Sequence, residues 1–562
     1  MRKKKKNENA ELHGVKIIPL GGLGQIGMNM TAFEYEDSII VVDCGMAFPD
    51  DNMPGVDCVI PDITYLKDNI AKVRGFVITH AHEDHIGALP YVLREIPTTV
   101  YATRLTMGII DYKLKEHGLS KSVKKKIIKH GQSINLGCFR VEFIKTTHSI
   151  QDSAAFAIYT PVGTIIHTGD FKVDYTPVFG DPFDIQRFAE IGKKGVLALL
   201  ADSTNAERPG YTMSESTVGK TFETIFADNT KSRIIVATFA SNVDRVQQII
   251  NAAHRHKRKV VIEGRSMINV VNIAQELGYL SVAKGTIITI EELKNYPPEK
   301  ICIITTGSQG EDRAALSRMA AAVHKKVTIV PGDVVILSSN PIPGNEKSVS
   351  KVINELSMLG AKVIYQDTHV SGHASQEEIK LIYALTKPKF AVPVHGEYRH
   401  LMKHSELAQA TGVEKDNVFI LKCGDVLEMN AEAARITGHV VTGGVYVDGL
   451  GVGDVGNVVL RDRQELAANG IITVAMTYDR GSGEFIAGPE IVSRGFVYVK
   501  ESEDLMDEAY DCVMDTLDQI VKKGITDHVK MRNMVRDALA DFVWKKTGRK
   551  PMILPVIMEV KE

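Results

Sequence analysis

His80-Ala81-His82-Glu83-Asp84-His85 places four strong metal-ligand side chains within six residues. Imidazole nitrogen and carboxylate oxygen together suit Zn²⁺ or Mn²⁺. The run follows an apolar, strand-like stretch, Gly75-Phe76-Val77-Ile78-Thr79. On a tight loop leaving a strand, His80 and His82 can face one ion while Asp84 and His85 face a second. A histidine-rich surface loop is the competing reading, but loops on a rigid scaffold are where catalytic groups gather. Three more polar residues close apolar runs: His148 after Arg140–Ile144, Asp170 after Thr164–Gly169, and His395 after Phe390–Val394. A lone histidine is usually structural. A set at successive strand ends is where a parallel or mixed sheet places its chemistry.

A second group of residues suits anions. Phe239-Ala240-Ser241-Asn242, Gly264-Arg265-Ser266-Met267 and Thr306-Gly307-Ser308-Gln309-Gly310-Glu311 each leave a strand and open a helical pattern. The first N–H groups of a helix would face outward there and attract phosphate. Helix capping accounts for Ser241 and Ser308 equally well, and Arg265 tips the set toward phosphate. His369-Val370-Ser371-Gly372-His373 can grip a scissile phosphate or protonate a leaving oxygen. Two glycine patterns, Gly22–Gly27 (with Asp43 downstream) and Gly451–Gly456, match a dinucleotide fingerprint, but glycine-rich turns between strands explain both. No GxxxxGK[ST] run supports ATP-driven chemistry.

These residues need a scaffold with many strand ends. The chain has 562 residues, 44% of them hydrophobic, enough for several domains with large cores. With 67 basic and 69 acidic residues the net charge is −2, so a nucleic acid would have to be held by a local basic groove rather than by bulk attraction. Six scattered cysteines without a CxxC pattern read as free thiols of a reducing compartment. The opening Met1-Arg2-Lys3-Lys4-Lys5-Lys6 lacks a following apolar core, and no run could span a membrane. Residues 1–12 read as a basic tail and 13–213 as a strand-rich domain holding most candidate ligands. Residues 214–365 alternate strands and helices as a parallel α/β sheet does. His395 comes after that block, so the block must be an insertion: 366–448 returns to the first domain. Residues 449–465 read as a linker and 466–562 as a small α+β domain. The fold class is therefore α/β.

The order HxHxDH, His148, Asp170, His395 resembles the metallo-β-lactamase superfamily. Asp202 in Leu200-Ala201-Asp202-Ser203-Thr204, and His395 in Pro393-Val394-His395-Gly396-Glu397, resemble its β-CASP branch of nucleic-acid processing enzymes. Phe-Ala-Ser-Asn, Gly-Ser-Gln-Gly-Glu, Pro341-Ile342-Pro343-Gly344, His-x-Ser-Gly-His and Lys550-Pro551-Met552-Ile553-Leu554-Pro555 narrow the resemblance to the bacterial ribonuclease J family, over nearly the whole chain.

The resemblance implies a metallo-β-lactamase αββα sandwich, a β-CASP insertion and a C-terminal domain used in assembly. It implies two divalent ions per subunit, zinc first and Mn²⁺ or Mg²⁺ as alternatives. His80, His82 and His148 would hold one, Asp84, His85 and His395 the other, with Asp170 bridging. Asp84 would also orient the attacking water or take its proton. His373, ahead of His369, would protonate the departing 3′ oxygen; Ser371 would hold a phosphate oxygen; Asp202 would buttress the histidine ligands. Ser241, Asn242, Arg265 and Gly307-Ser308-Gln309 would receive a 5′-monophosphate. The family's activities are 5′-to-3′ exonuclease and endonuclease action in RNA maturation, rRNA included, and in mRNA decay. A homodimer or homotetramer, or an assembly with a paralogous subunit, is expected in the cytoplasm with no membrane partner. The rivals are a weakly active or non-catalytic subunit of an RNA-degrading complex and a small-molecule hydrolase. The chain departs from the family pattern at Ala81, where a glycine is usual, at Gln151, where a proline follows His-Ser-Ile, and at Gln25, which replaces a glutamate.

Overall fold

The computed structural model describes residues 12–50, 52–342, 344–497 and 503–560. All but the last residue of the expected basic tail, and Pro343 of the Pro-Ile-Pro-Gly stretch, lie outside them. The chain forms two compact units, one of residues 1–48 and 58–445, the other of 49–57 and 446–562.

Two sheets form the heart of the first unit. One has eight strands, in the order Ala434–His439, Asp425–Met429, Val15–Gly21, Met30–Tyr35, Ser38–Val42, Val73–Val77, Val100–Ala102 and Lys125–Ile127. The other has six: Phe390–Val394, Ala198–Asp202, Gly163–His167, Ala154–Thr160, Phe139–Lys145 and Ser133–Leu136. Strand periodicity of two decides which side chains meet. Phe156 and Ile158 turn inward to pack with Phe143, Ile165, Leu200 and Val392, and with Ile17, Phe33, Ile40 and Val77 of the first sheet. Ala155 and Ala157, one residue out of phase, turn outward beneath Phe188, Ile379, Ile382 and Leu407 of the covering helices. Each large apolar side chain buried this way contributes about 1.5–3 kcal/mol. Helix Arg104–Glu116 lies against the edge strands of the first sheet.

The strand Ala198–Asp202 pairs in parallel with Phe390–Val394, Asp202 opposite Val394. Everything between them is an excursion from one sheet, which is what makes the α/β block an insertion. Its own sheet runs Lys259–Glu263, Ile301–Thr305, Ile234–Ala237, Val334–Leu337, Lys362–Ile364, all parallel. Ile234-Ile235-Val236-Ala237 is buried at every position, as a parallel strand covered on both faces must be. Ile235, Val261, Ile303 and Val335 face Leu316, Met319, Val352 and Leu356. One of the expected helix openings shifts. After Thr306–Glu311 the helix runs only from Ala315 to Ala320, because Gly310 (φ 76°) continues the turn after the strand. Gly264-Arg265-Ser266-Met267 does open a helix, which begins at Arg265, directly after Gly264 at φ 102°.

The second unit centres on the strand Ile471–Asp479, antiparallel to Glu484–Arg494 and parallel to Met552–Val560. Helices Glu503–Lys522 and His528–Thr547 cover one face, where Val474, Met476 and Tyr478 meet Val513, Leu517, Val535 and Leu539. The stretch read as a linker is largely structured, since it contains most of the helix Asn457–Asn469. Gly451–Gly456 therefore leads into a helix rather than lying between two strands. The strand before that helix is only Gly451–Val452, paired back antiparallel on Val447 and Asp448, so no βαβ unit forms around those glycines. After Gly22–Gly27 the chain goes on into the strand Met30–Tyr35.

Candidate metal centre

The strands Ser38–Val42, Val73–Val77, Phe139–Lys145, Gly163–His167, Ala198–Asp202 and Phe390–Val394 deliver Asp43, His80, His148, Asp170, Asp202 and His395 to one place. Three groups of donor atoms form there among the described residues: one from His80, His82, His148 and Asp170, a second from Asp84, His85, Asp170 and His395, and a third from Asp170, Asp202, His373 and His395. Asp170 belongs to all three. In the first, His82 Nδ1 is 3.0 Å from His80 Nε2 and 3.1 Å from His148 Nε2, and Asp170 Oδ2 is 3.6 and 3.7 Å from the same two Nε2 atoms. In the second, His85 Nε2 is 3.4 Å from Asp84 Oδ2 and 3.3 Å from Asp170 Oδ2, and His395 Nε2 is 3.1 and 3.6 Å from them. Tetrahedral ligands at about 2.1 Å from an ion sit about 3.4 Å from one another. The spacings fit that requirement. Asp170 Oδ1 is buried with no hydrogen-bond partner among the described residues, which is costly unless a cation meets it.

Four histidines are held from behind by their second ring nitrogen. His85 Nδ1 donates to Asp43 at 2.8 Å and His148 Nδ1 to the Gly372 carbonyl at 2.7 Å. Thr79 Oγ1, 3.0 Å from His80 Nδ1, donates onward to Asp43; Thr204 Oγ1, 2.6 Å from His395 Nδ1, donates onward to Asp202. These bonds leave Nε2 of each ring as a lone pair aimed at the cluster. Asn29 Nδ2 steadies the other side, 3.3 Å from Asp84 Oδ2. Asp43 and His395 hold positive φ, 62° and 54°, a cost that persists where the surroundings fix the conformation. Ala81 does not have positive φ, so alanine is at ease where the family pattern has glycine. Gly45 is obligatory: a Cβ there would stand 1.6 Å from the Asp84 carbonyl oxygen.

Asp43, Asn29 and Thr204 were not among the candidate residues read from the sequence. Asp43 closes an apolar strand just as Asp170 does, and that signal could have found it. Nothing in the sequence singles out Asn29, which reaches the site only because the first two strands fold back on each other.

Electrostatics divides the histidines. Burial and the neighbouring imidazoles hold His80 and His148 well below their ordinary pKa, and burial brings His82 down to about 4. Burial opposes the charged form of His85 as well, yet the Asp170, Asp84 and Asp43 carboxylates carry it well above the ordinary value. His395 rises to about 9 for the same kind of reason, through Asp170, Asp84 and Asp202. Asp84 and Asp170, despite burial, stay well below the usual carboxylate range beside those rings. The Asp84 and Asp170 carboxylates thus favour positive charge on His85 and His395, and a divalent cation held by the same rings would take the place of those protons.

His373 stands at the mouth, its side chain 21% exposed, with Nδ1 donating to Asp202 Oδ2 at 2.8 Å. Asp202 thus reaches His395 through Thr204 and His373 directly. Burial works against a charged His373, but Asp202 outweighs it and raises the pKa. Ser371 Oγ accepts from Asn205 Nδ2 at 2.8 Å and from the His373 N–H at 3.2 Å. His369 lies apart: its Nδ1 accepts from Arg245 at 3.1 Å, and burial with that guanidinium lowers its pKa to about 3. With Nδ1 taken by Arg245, Nε2 is the ring nitrogen left to donate.

The phosphate candidates sit on the C-terminal edge of three adjacent strands of the inserted sheet, after Ile234–Ala237, Lys259–Glu263 and Ile301–Thr305. Their roles differ from the sequence reading. Asn242, not Ser241, caps the helix Val243–Arg255, accepting from the Arg245 N–H at 2.9 Å. Ser241 is half-buried and Arg265 exposed at the start of its helix. Gly307, Ser308 and Gln309 are buried and do not open a helix, since the next one starts at Ala315. Gln309 spends its amide on Ser339 Oγ, the Asn340 carbonyl and the Ile342 N–H. It is a loop brace with no group left for a ligand.

Stacked sheets with a two-part histidine–aspartate cluster at their strand ends define the chain as a metallo-β-lactamase-type hydrolase. The metallo-β-lactamase superfamily model matches residues 24–216, and that for the RNA specificity domain of Zn-dependent metallo-hydrolases matches 360–421. The ribonuclease J β-CASP domain model matches 231–356 and the ribonuclease J C-terminal domain model 458–560. The chain is 43% identical to ribonuclease J2 of Bacillus subtilis (strain 168), over 99% of this chain and 100% of that one. It is 45% identical to ribonuclease J 1 of Streptococcus pyogenes over 97% of each, and 44% identical to ribonuclease J of Thermus thermophilus over 97% and 95%. The chain belongs to the ribonuclease J family. A crystal structure of a protein of unknown function from Enterococcus faecalis V583 shares the fold at TM-score 0.52 and 17% identity, over 74% of this chain and all of that one.

Proposed function

We infer that the protein is a metal-dependent ribonuclease that hydrolyses phosphodiester bonds, working both inward from 5′ ends and at internal sites. The carrying observation is the double donor cluster around Asp170. His80, His82 and His148 would hold one cation and Asp84, His85 and His395 the other, with Asp170 between them; zinc suits the ligand set best. Cations held there supply Lewis acidity toward the phosphate oxygens and acidify water for attack. His373 would protonate the departing 3′ oxygen through Nε2, which is free while Nδ1 stays on Asp202. Ser371 and the His369 Nε2–H would hold phosphate oxygens. All seven donors converge, which favours an enzyme over a non-catalytic subunit, and a small-molecule hydrolase has no use for the inserted domain.

The finer reading is a preference for 5′-monophosphate ends, received at Ser241, Arg265 and the first turn of Val243–Arg255. Assembly as a dimer or tetramer, alone or with a paralogous subunit, and a cytoplasmic location belong to the same proposal. No helix among the described residues is long and apolar enough to cross a membrane. The test uses purified protein on 5′-monophosphorylated and 5′-triphosphorylated RNAs, with chelation and metal re-addition. Cleavage should require metal and vanish in Asp170→Ala; wild-type cleavage by a folded Asp170→Ala protein would overturn the two-metal reading.

A further inference from the structure

Arg245 is the largest fully buried side chain among the described residues, and it carries a guanidinium. It lies in the first turn of helix Val243–Arg255, where a phosphate-binding role is the obvious guess. Its contacts point elsewhere. Nε and one terminal nitrogen donate to the Glu215 carboxylate at 2.6 and 2.8 Å. The other terminal nitrogen donates to the Ser338 carbonyl at 2.8 Å, Ser338 Oγ at 3.1 Å and His369 Nδ1 at 3.1 Å. The remaining N–H faces the Val370 carbonyl at 3.5 Å, so no donor is left for RNA.

Glu215 lies on the segment by which the chain leaves the metal domain for the insertion. His369 lies on the segment by which it returns. Arg245, on the insertion itself, ties the two together. Ser338 Oγ donates to the Thr368 carbonyl and the Thr368 hydroxyl to the Leu337 carbonyl at 2.7 Å, so the return segment is fixed just before His369. Four residues on, its Gly372 carbonyl holds His148 and its His373 holds Asp202. There is no slack at Gly372, where a Cβ would stand 2.7 Å from the His148 ring. The adjacent residue acts on the opposite side: Asp244 accepts from Gln151 Nε2, three residues after His148. The first turn of one helix therefore grips both segments that flank His148 and His373.

We propose that Arg245 is a positioning residue for phosphodiester hydrolysis, holding the segment His369–His373 so that His373 meets the leaving oxygen. This rests on the acid role of His373 given above. In the step, water oxygen bonds to phosphorus, the P–O3′ bond breaks, and O3′ takes the His373 proton. The proton lost by the water passes to solvent through the site. Arg245 touches none of the reacting atoms. By donating to His369 Nδ1 it also leaves Nε2 as the ring nitrogen that carries the proton.

The test compares Arg245→Lys, His373→Ala and the double variant on two RNAs, one normal and one with sulfur replacing the 3′ bridging oxygen of the scissile linkage. Thiolate leaves without a proton, so the sulfur RNA bypasses the acid. Arg245→Lys keeps the charge facing Glu215 but cannot span Ser338 and His369. Expected are two metals per chain, KM within about twofold, and kcat on normal RNA down roughly 10–100-fold, with most of the loss restored by sulfur. The double variant should be no slower than His373→Ala alone. If sulfur rescues His373→Ala but not Arg245→Lys, or if the losses multiply, the proposal is wrong. If sulfur does not rescue His373→Ala, the acid assignment itself fails. Should Arg245→Lys not fold, Ser338→Ala removes the hydroxyl that links Arg245 to Thr368. It should then show the same sulfur rescue in weaker form, and its absence overturns the proposal equally.

Discussion

Asp43 is a carboxylate whose position matters more than its charge. It accepts hydrogen bonds from the His85 Nδ1–H and the Thr79 hydroxyl, so it orients two rings on opposite halves of the cluster. Asp43→Ala is expected to leave every direct ligand in place yet weaken metal binding by about 10–100-fold, measurable by zinc titration against a chromophoric chelator. Unchanged affinity would mean that packing alone orients the rings. His373→Ala should do the reverse. Metal content should hold while turnover falls about 10²–10⁴-fold, and metal loss in that variant would make His373 a ligand.

Asp244 carries a different residue-scale consequence. Burial raises its pKa from 3.8 to about 7, with the Gln151 hydrogen bond pulling the other way. The folded state therefore keeps a proton that the unfolded chain releases. Stability from this group is full below about pH 4 and is lost as pH rises through about 7. Asp244→Asn keeps an acceptor for Gln151 and removes the titration. Its melting temperature should exceed the wild type's at pH 8 and converge with it at pH 4; a constant difference across that range would assign the effect to packing.

At the scale of elements, the helix Val243–Arg255 combines jobs that substitution can separate. Asn242 is its cap, and Asn242→Ala should cost about 1 kcal/mol of stability. Ser241 spends no side-chain bond on the cap, so Ser241→Ala should fold normally. If the outward N–H groups receive a 5′-monophosphate, Ser241→Ala and Arg265→Ala will slow decay from the end more than internal cleavage, because only the former needs the end. Equal losses in an assay scoring both products would make these residues general RNA contacts. Gln309, buried and fully bonded, belongs to neither group.

On the scale of the whole molecule, the second unit buries one face of its three-stranded sheet and leaves the other open. Leu554, Val556 and Met558 alternate outward along Met552–Val560, 38–54% exposed. An apolar row of this kind on a soluble sheet favours association. Leu554→Asp with Met558→Asp should shift the mass in light scattering toward monomer while preserving hydrolysis of a short RNA. An unchanged mass would place any subunit contact on the first unit.

The candidate ligands and their order were legible in the sequence. Strand-then-acid and strand-then-histidine patterns are local, and an apolar run leading into a polar residue has few other places to go than the end of a buried strand. An excursion before His395 was also expected from its order among the candidate ligands, and the pairing of Ala198–Asp202 with Phe390–Val394 fits one. Only tertiary structure decided the rest. Asn29 reaches Asp84 across strand pairing that no local pattern specifies. Asn242 rather than Ser241 is the cap because the helix starts at Val243 and the cap is the residue directly before it; serine and asparagine are both good caps, so their types did not distinguish them. Arg245 carries no signal in the sequence, and its role shows only in space, where Glu215, Ser338 and His369, separated by 30, 93 and 124 residues from it, take its donors. Long-range hydrogen bonding is set by how whole elements pack, and that information lies in the three-dimensional fold rather than in any window of the chain.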